Sequence, residues 1–159
     1  MNYSRKKDDG CIKLCEFQAR LFERASKDHI PSAYFVKIFV SSSGCIAMDD
    51  LEALRYPLSE EGVYINIKNK VKMNRGTILP TFVMSWIGYL LRQWAYTYNV
   101  RSKVILKKVP LSYLFNVYPS YHALDIQKAI ILIAEDRSID LNEKPETRLY
   151  NIIKRYTVL

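Results

Sequence analysis

Between Leu79 and Tyr98 the chain places Phe82, Val83, Trp86, Ile87, Leu90, Leu91 and Trp94 at spacings that wrap apolar surface around more than one side of an α-helix. A helix of that kind has to be surrounded by other elements, so it predicts a domain built around a central helix. Pro80 fits its first turn, and the Asn74-Arg75-Gly76 turn precedes it. Ser85, Gly88, Arg92 and Ala95 form a narrow stripe of mostly small residues, where a second backbone could approach closely. The longest run of low polarity, Ile78 to Leu91, is 14 residues and is broken by Pro80, Thr81 and Ser85. A bilayer needs ~20 apolar residues, so the run reads as a buried helix.

The remaining segments supply partners for that helix. Leu14, Phe17, Leu21, Phe22 and Ala25 share one face of a helix over about 12–27, which Pro31 bounds. Ser32 is placed to cap a second helix, which the Ser41-Ser42-Ser43-Gly44 run ends. Ala47 to Leu54 predicts a short third helix closed before Pro57. Residues 62–73 are ambiguous: Val63 to Lys68 alternates as a strand does, whereas Val63, Ile67 and Val71 keep helical spacing, which is the reading preferred here. Leu111 to Val117 predicts a short helix broken by Tyr118-Pro119-Ser120, Asp125 caps one running to Asp136, and Glu146 to Tyr156 predicts a last. A chain of 159 residues buries roughly 70% of its extended surface without disulfide or metal staples. The sequence thus predicts a flexible tail over 1–10 and one all-α domain over 11–159, a bundle of about six to seven helices.

Charge is segregated along the chain. Residues 62–124 contain no Asp or Glu but nine Lys or Arg, seven Tyr, two Trp and two Phe, so this block carries the net charge of +8. Such a field concentrates anionic partners at one surface. It favours binding over catalysis as the chain's work, with no turnover of its own and no cofactor or metal. The odd number of cysteines (Cys11, Cys15 and Cys45) suits a reducing cytoplasm. Cys11 and Cys15 lie one helical turn apart and could share a metal with His29, but three side chains fall short of the four ligands that a structural zinc site requires.

The string Trp86 to Tyr98 carries five large rings and one Arg on consecutive turns, the composition of a protein interface. Treating its Trp residues as core leaves Tyr89, Arg92, Tyr96, Tyr98, Arg101 and Lys103, with Tyr121 and His122, as the expected partner-binding surface. The Tyr121-His122 and Asp125 group reads as a helix entrance rather than a catalytic pair. Trp86 to Tyr98, Ser102, Tyr118-x2-Tyr121-His122-x2-Asp125 and Ala129-Ile130 together resemble a little-characterised family of small bacterial proteins often encoded beside toxin-like genes. The likeness runs through roughly residues 34–133 and departs from the family's tyrosine-rich pattern at Leu91 and Gln93. It implies an antitoxin or immunity component that neutralises a partner toxin by direct contact. Two alternatives stand beside it. Lys68, Lys70, Lys72, Arg75, Lys107 and Lys108 flank the central helix and could track a nucleic-acid backbone, with tyrosines for stacking. Arg24-x4-His29 resembles the Arg/His spacing of the all-helical HEPN ribonucleases, although Ala25 stands where that family has a polar residue.

Overall fold

The long helix α6 (Thr81–Tyr98) lies antiparallel against α1 (Asp9–Lys27). Ser26 Oγ donates to the Leu79 carbonyl at one end of the pair, Gln18 Nε2 to the Gly88 carbonyl in the middle, and the Tyr96 hydroxyl to Asp8 at the other end. Gly88 sets the closeness of this contact. A Cβ at that position would stand 2.9 Å from the Gln18 carbonyl oxygen and 2.9 Å from the Phe22 ring. The small stripe of α6 therefore faces the backbone of α1.

The computed structural model describes residues 5–72, 75–143 and 153–154, and among these every regular element is helical. Around the α1–α6 pair are α2 (Ser32–Val40), α3 (Ser43–Asp49), α4 (Glu52–Arg55), α5 (Glu60–Lys68), α7 (Ser102–Lys108), α8 (Leu111–Tyr121) and α9 (Ile126–Asp136). Side chains start several of them: Asp8 accepts from the Cys11 amide, Ser42 from Cys45, Ser59 from Gly62 and Asp125 from Gln127. Phe22 carries the apolar contact from α1 to α2, edge-on to Phe35 at 5.5 Å and to Phe39 at 5.0 Å.

The all-α expectation is met, with more helices than the six to seven foreseen. The ambiguous stretch after Ser59 is the helix α5, which ends at Lys68. The single helix foreseen over Ala47 to Leu54 is two, because Leu51 turns left-handed at φ 61° between α3 and α4. Residues 102–108, to which the sequence pattern assigned no element, form the helix α7, since Ile105 and Val109 are buried and hold it down. Helix α8 runs through Pro119 rather than breaking before it. A proline this near the C-terminal end removes only one intrahelical bond. Ser32 does not cap α2: its hydroxyl accepts from the Leu79 amide, tying α2 to the start of α6.

Residues 5–10, read from the sequence as a tail, make contacts with the end of α6 and the start of α1. The Arg5 amide donates to the Thr97 carbonyl, its guanidinium to the Tyr96 carbonyl, and Gly10 already belongs to α1. The helix expected at 146–156 lies outside the described residues except at 153–154, which are helical.

Replacing Gly88 with Ala should force α1 and α6 apart and destabilise the fold by about 1–3 kcal/mol, measured by urea unfolding. An unchanged midpoint would mean that the helices do not need this approach.

Candidate functional site

Arg92 was expected on the exposed edge of the central helix. It is interior, with 1% of its surface exposed. Its Nε donates to Gln18 Oε1 of α1 at 2.7 Å, Nη1 to Asp49 Oδ1 of α3 at 2.7 Å, and Nη2 to Ser102 Oγ of α7 at 3.2 Å and Cys45 Sγ at 3.6 Å. Asp49 is also nearly enclosed and accepts from the Ser102 amide and hydroxyl. The cause of burial is the narrow stripe itself: one turn after Gly88, Arg92 points into the same close contact with α1. Helices α1, α3, α6 and α7 meet at this guanidinium.

The other foreseen partner-binding residues divide in two groups. Tyr96 is buried, with its hydroxyl 2.8 Å from both Asp8 carboxylate oxygens, and Tyr98 accepts from Gln127 Nε2 at 2.7 Å. Arg101 is exposed but pairs with Asp50 at 3.0 Å. Tyr89, Lys103, Tyr121 and His122 retain partial or full exposure. Lys7 lies over the Tyr89 ring at 5.0 Å.

What the sequence did not single out is the apolar surface shared by α6 and α8. Phe82 is 61% exposed although its spacing placed it with the core. Its ring is 5.6 Å from that of Tyr118, which stacks on His122 at 4.6 Å and stands edge-on to Trp86 at 5.4 Å. The Trp86 indole N–H is buried and has no acceptor among the described residues. Phe115, one turn before Tyr118 on α8, is 41% exposed. The available signal was the i, i+4 pair Phe82 and Trp86 on one helix and the Phe115, Tyr118 and His122 repeat on another. Both patterns resemble core stripes until the packing is known.

The cations of the acid-free block are partly neutralised from its flanks. Lys68 lies 3.6 Å from Asp28, and Arg92 and Arg101 pair with Asp49 and Asp50. Among the described residues, Lys70, Lys72, Arg75, Lys103, Lys107 and Lys108 form no ion pair and are exposed. Arg24 donates to both carboxylate oxygens of Glu61 and lies 3.9 Å over the Tyr64 ring, while the His29 Nδ1 faces the Ser26 carbonyl. The Cys11 and Cys15 sulfurs are 3.8 Å apart and buried. No group of three His, Cys, Asp or Glu side chains able to hold a metal occurs among the described residues. Nor is any helix among them long and apolar enough to cross a membrane.

Compared with known protein families, curated proteins and solved structures, the chain matches none.

Burial, and after it the hydrogen bond to Asp8, pushes the Tyr96 hydroxyl from an ordinary 10.0 up to about 12. A folded-state value above the unfolded one means that this contact stabilises fully below pH 10 and is lost as pH rises through about 12. Tyr96→Phe should therefore melt below the wild type at neutral pH, and the difference should close between pH 10 and 12. A gap constant with pH would show that the hydroxyl does not bond Asp8 in solution.

Proposed function

We propose that this protein is a non-enzymatic binding protein of the cytoplasm, an antitoxin or immunity component that occludes a partner protein. The partner meets the surface of α6 and α8 formed by Phe82, Phe115, Tyr118 and His122, with Tyr89 and Tyr121 beside it. The observation carrying this reading is Phe82. A phenylalanine kept 61% exposed against a Tyr118–His122 stack leaves apolar and aromatic area in water that a partner would cover. Interface centres are enriched in such residues, and the rings here are held by packing before any partner arrives. The antitoxin assignment within this reading rests on the sequence resemblance.

A nucleic-acid-binding role is the second reading, favoured by the exposed cations Lys70, Lys72, Arg75, Lys103, Lys107 and Lys108, which form no ion pair among the described residues. The two differ in salt dependence. Binding through phosphates weakens steeply as salt is raised, and binding through an apolar patch weakens little.

The test is capture of a tagged protein from its native host, followed by mass spectrometry. Phe82→Ala with His122→Ala should lose the partner while melting within ~3 °C of the wild type, since both residues are exposed. Full retention of the partner by that variant would contradict the reading. So would captured material that is nucleic acid and is released by moderate salt.

A further inference from the structure

Beside the aromatic surface lies a groove of about 610 Å3 between the start of α2, residues 76–79 and the start of α8. Pro31 and Tyr34 form one wall, Gly76 and Leu79 the floor, and Leu111 and Phe115 the other wall. Gly76 has a φ of 151°, and a Cβ there would meet Pro31 at 3.0 Å, so the floor can come this close to α2 only with glycine. Phe115 belongs to both the groove and the aromatic surface, which makes the two continuous.

Several polar atoms of the floor are already used. The Ser32 amide donates to the Thr77 carbonyl, the Leu79 amide to Ser32 Oγ, and the Leu79 carbonyl accepts from Ser26 Oγ. The groove is lined mostly by carbon, with the hydroxyl side chains of Tyr34, Thr77 and Ser112 among it. Its size falls in the ~300–1,000 Å3 range of ligand pockets, sufficient for side chains projecting from one face of a helix.

Charge decides the occupant. Every residue lining the groove comes from one of two stretches, 29–48 and 62–124, that contain no Asp or Glu. The cations on those stretches are close in sequence to the lining: Lys37 one turn beyond Tyr34, Arg75 immediately before Gly76, and Lys108 three residues before Leu111, the last also bordering a separate depression with Asp140 and Glu143. All three are exposed, and none forms an ion pair among the described residues. The nearest acid in sequence, Asp28, is engaged by Tyr64 and Lys68. Asp136, which reaches α8, bonds Tyr113 on the side of that helix opposite to Leu111 and Phe115.

We propose that this groove receives the apolar face of an acidic amphipathic helix of a partner protein, whose carboxylates meet Lys37, Arg75 and Lys108. This rests on the reading of the chain as a protein-binding module and adds the chemistry of the partner.

The test uses the full chain and three labelled synthetic peptides, followed by fluorescence anisotropy. One has Leu and Phe on one helical face and Glu on the other, one has every Glu replaced by Lys, and one scrambles the first. The Glu peptide should bind at least about tenfold more tightly than either control. Ala33→Glu, which projects an acid into the groove, and Arg75→Glu with Lys108→Glu should each weaken it by a similar factor. Ala33, Arg75 and Lys108 are exposed, so melting should confirm that these variants fold. Equal binding of all three peptides, or a Glu peptide indifferent to Ala33→Glu, would overturn the proposal. So would a single-stranded RNA oligonucleotide that binds the wild type and is lost on Ala33→Glu, because the groove would then serve nucleic acid. A native partner captured in a Phe82-dependent manner, with no binding of the Glu peptide, would sink the groove proposal alone. Peptide binding together with partner capture indifferent to Phe82 would sink the aromatic surface alone.

Discussion

A guanidinium taken out of water is costly unless its nitrogens find acceptors, and all three nitrogens of Arg92 do so with residues from three other helices. Gln18 of α1, Asp49 of α3 and Ser102 of α7 are brought to one point, and Asp49 in turn accepts from the amide and hydroxyl that open α7. A buried pair of this kind adds little net stability over an apolar replacement, yet removing one partner alone strands the other. Its effect here is on position. It fixes where α3 and α7 lie on the α1–α6 pair, and hence the direction in which the chain leaves for α8 and the aromatic surface.

The central helix and the α1 stripe were legible because burial on more than one side leaves an unmistakable period. Gly88 was legible too, as a member of the small stripe. Arg92 sat in that same stripe but was read as surface, because a charged residue is rarely enclosed and its partner Asp49 lies 43 positions away. Tyr96 was misplaced for a related reason: the residues that cover it, Arg5 and Asp8, belong to a charged leader that resembles a solvated tail. The α7 helix was hidden by its lysines, which mask the two buried apolar residues that seat it. Phe82 was missed in the opposite direction, since periodicity marks an apolar side chain as facing a neighbour without saying whether that neighbour is in the same chain.

The charge pattern survives in altered form. Flanking acids neutralise Arg92, Arg101 and Lys68, so the field of the acid-free block rests on fewer cations than the sequence implied. Those that remain lie on the same stretches of chain as the exposed aromatic and apolar residues. A binding surface needs apolar area for affinity and like-signed charge around it for selection of partners, and the acid-free block supplies both.

Whether Arg92 organises the domain, rather than merely occupying it, is measured most directly by a double-mutant cycle in urea. Arg92→Met and Asp49→Ala should each lower the unfolding free energy by about 3–5 kcal/mol, with the double variant little worse than either. Single effects that add in full, or an Arg92→Met protein as stable as the wild type, would contradict the account.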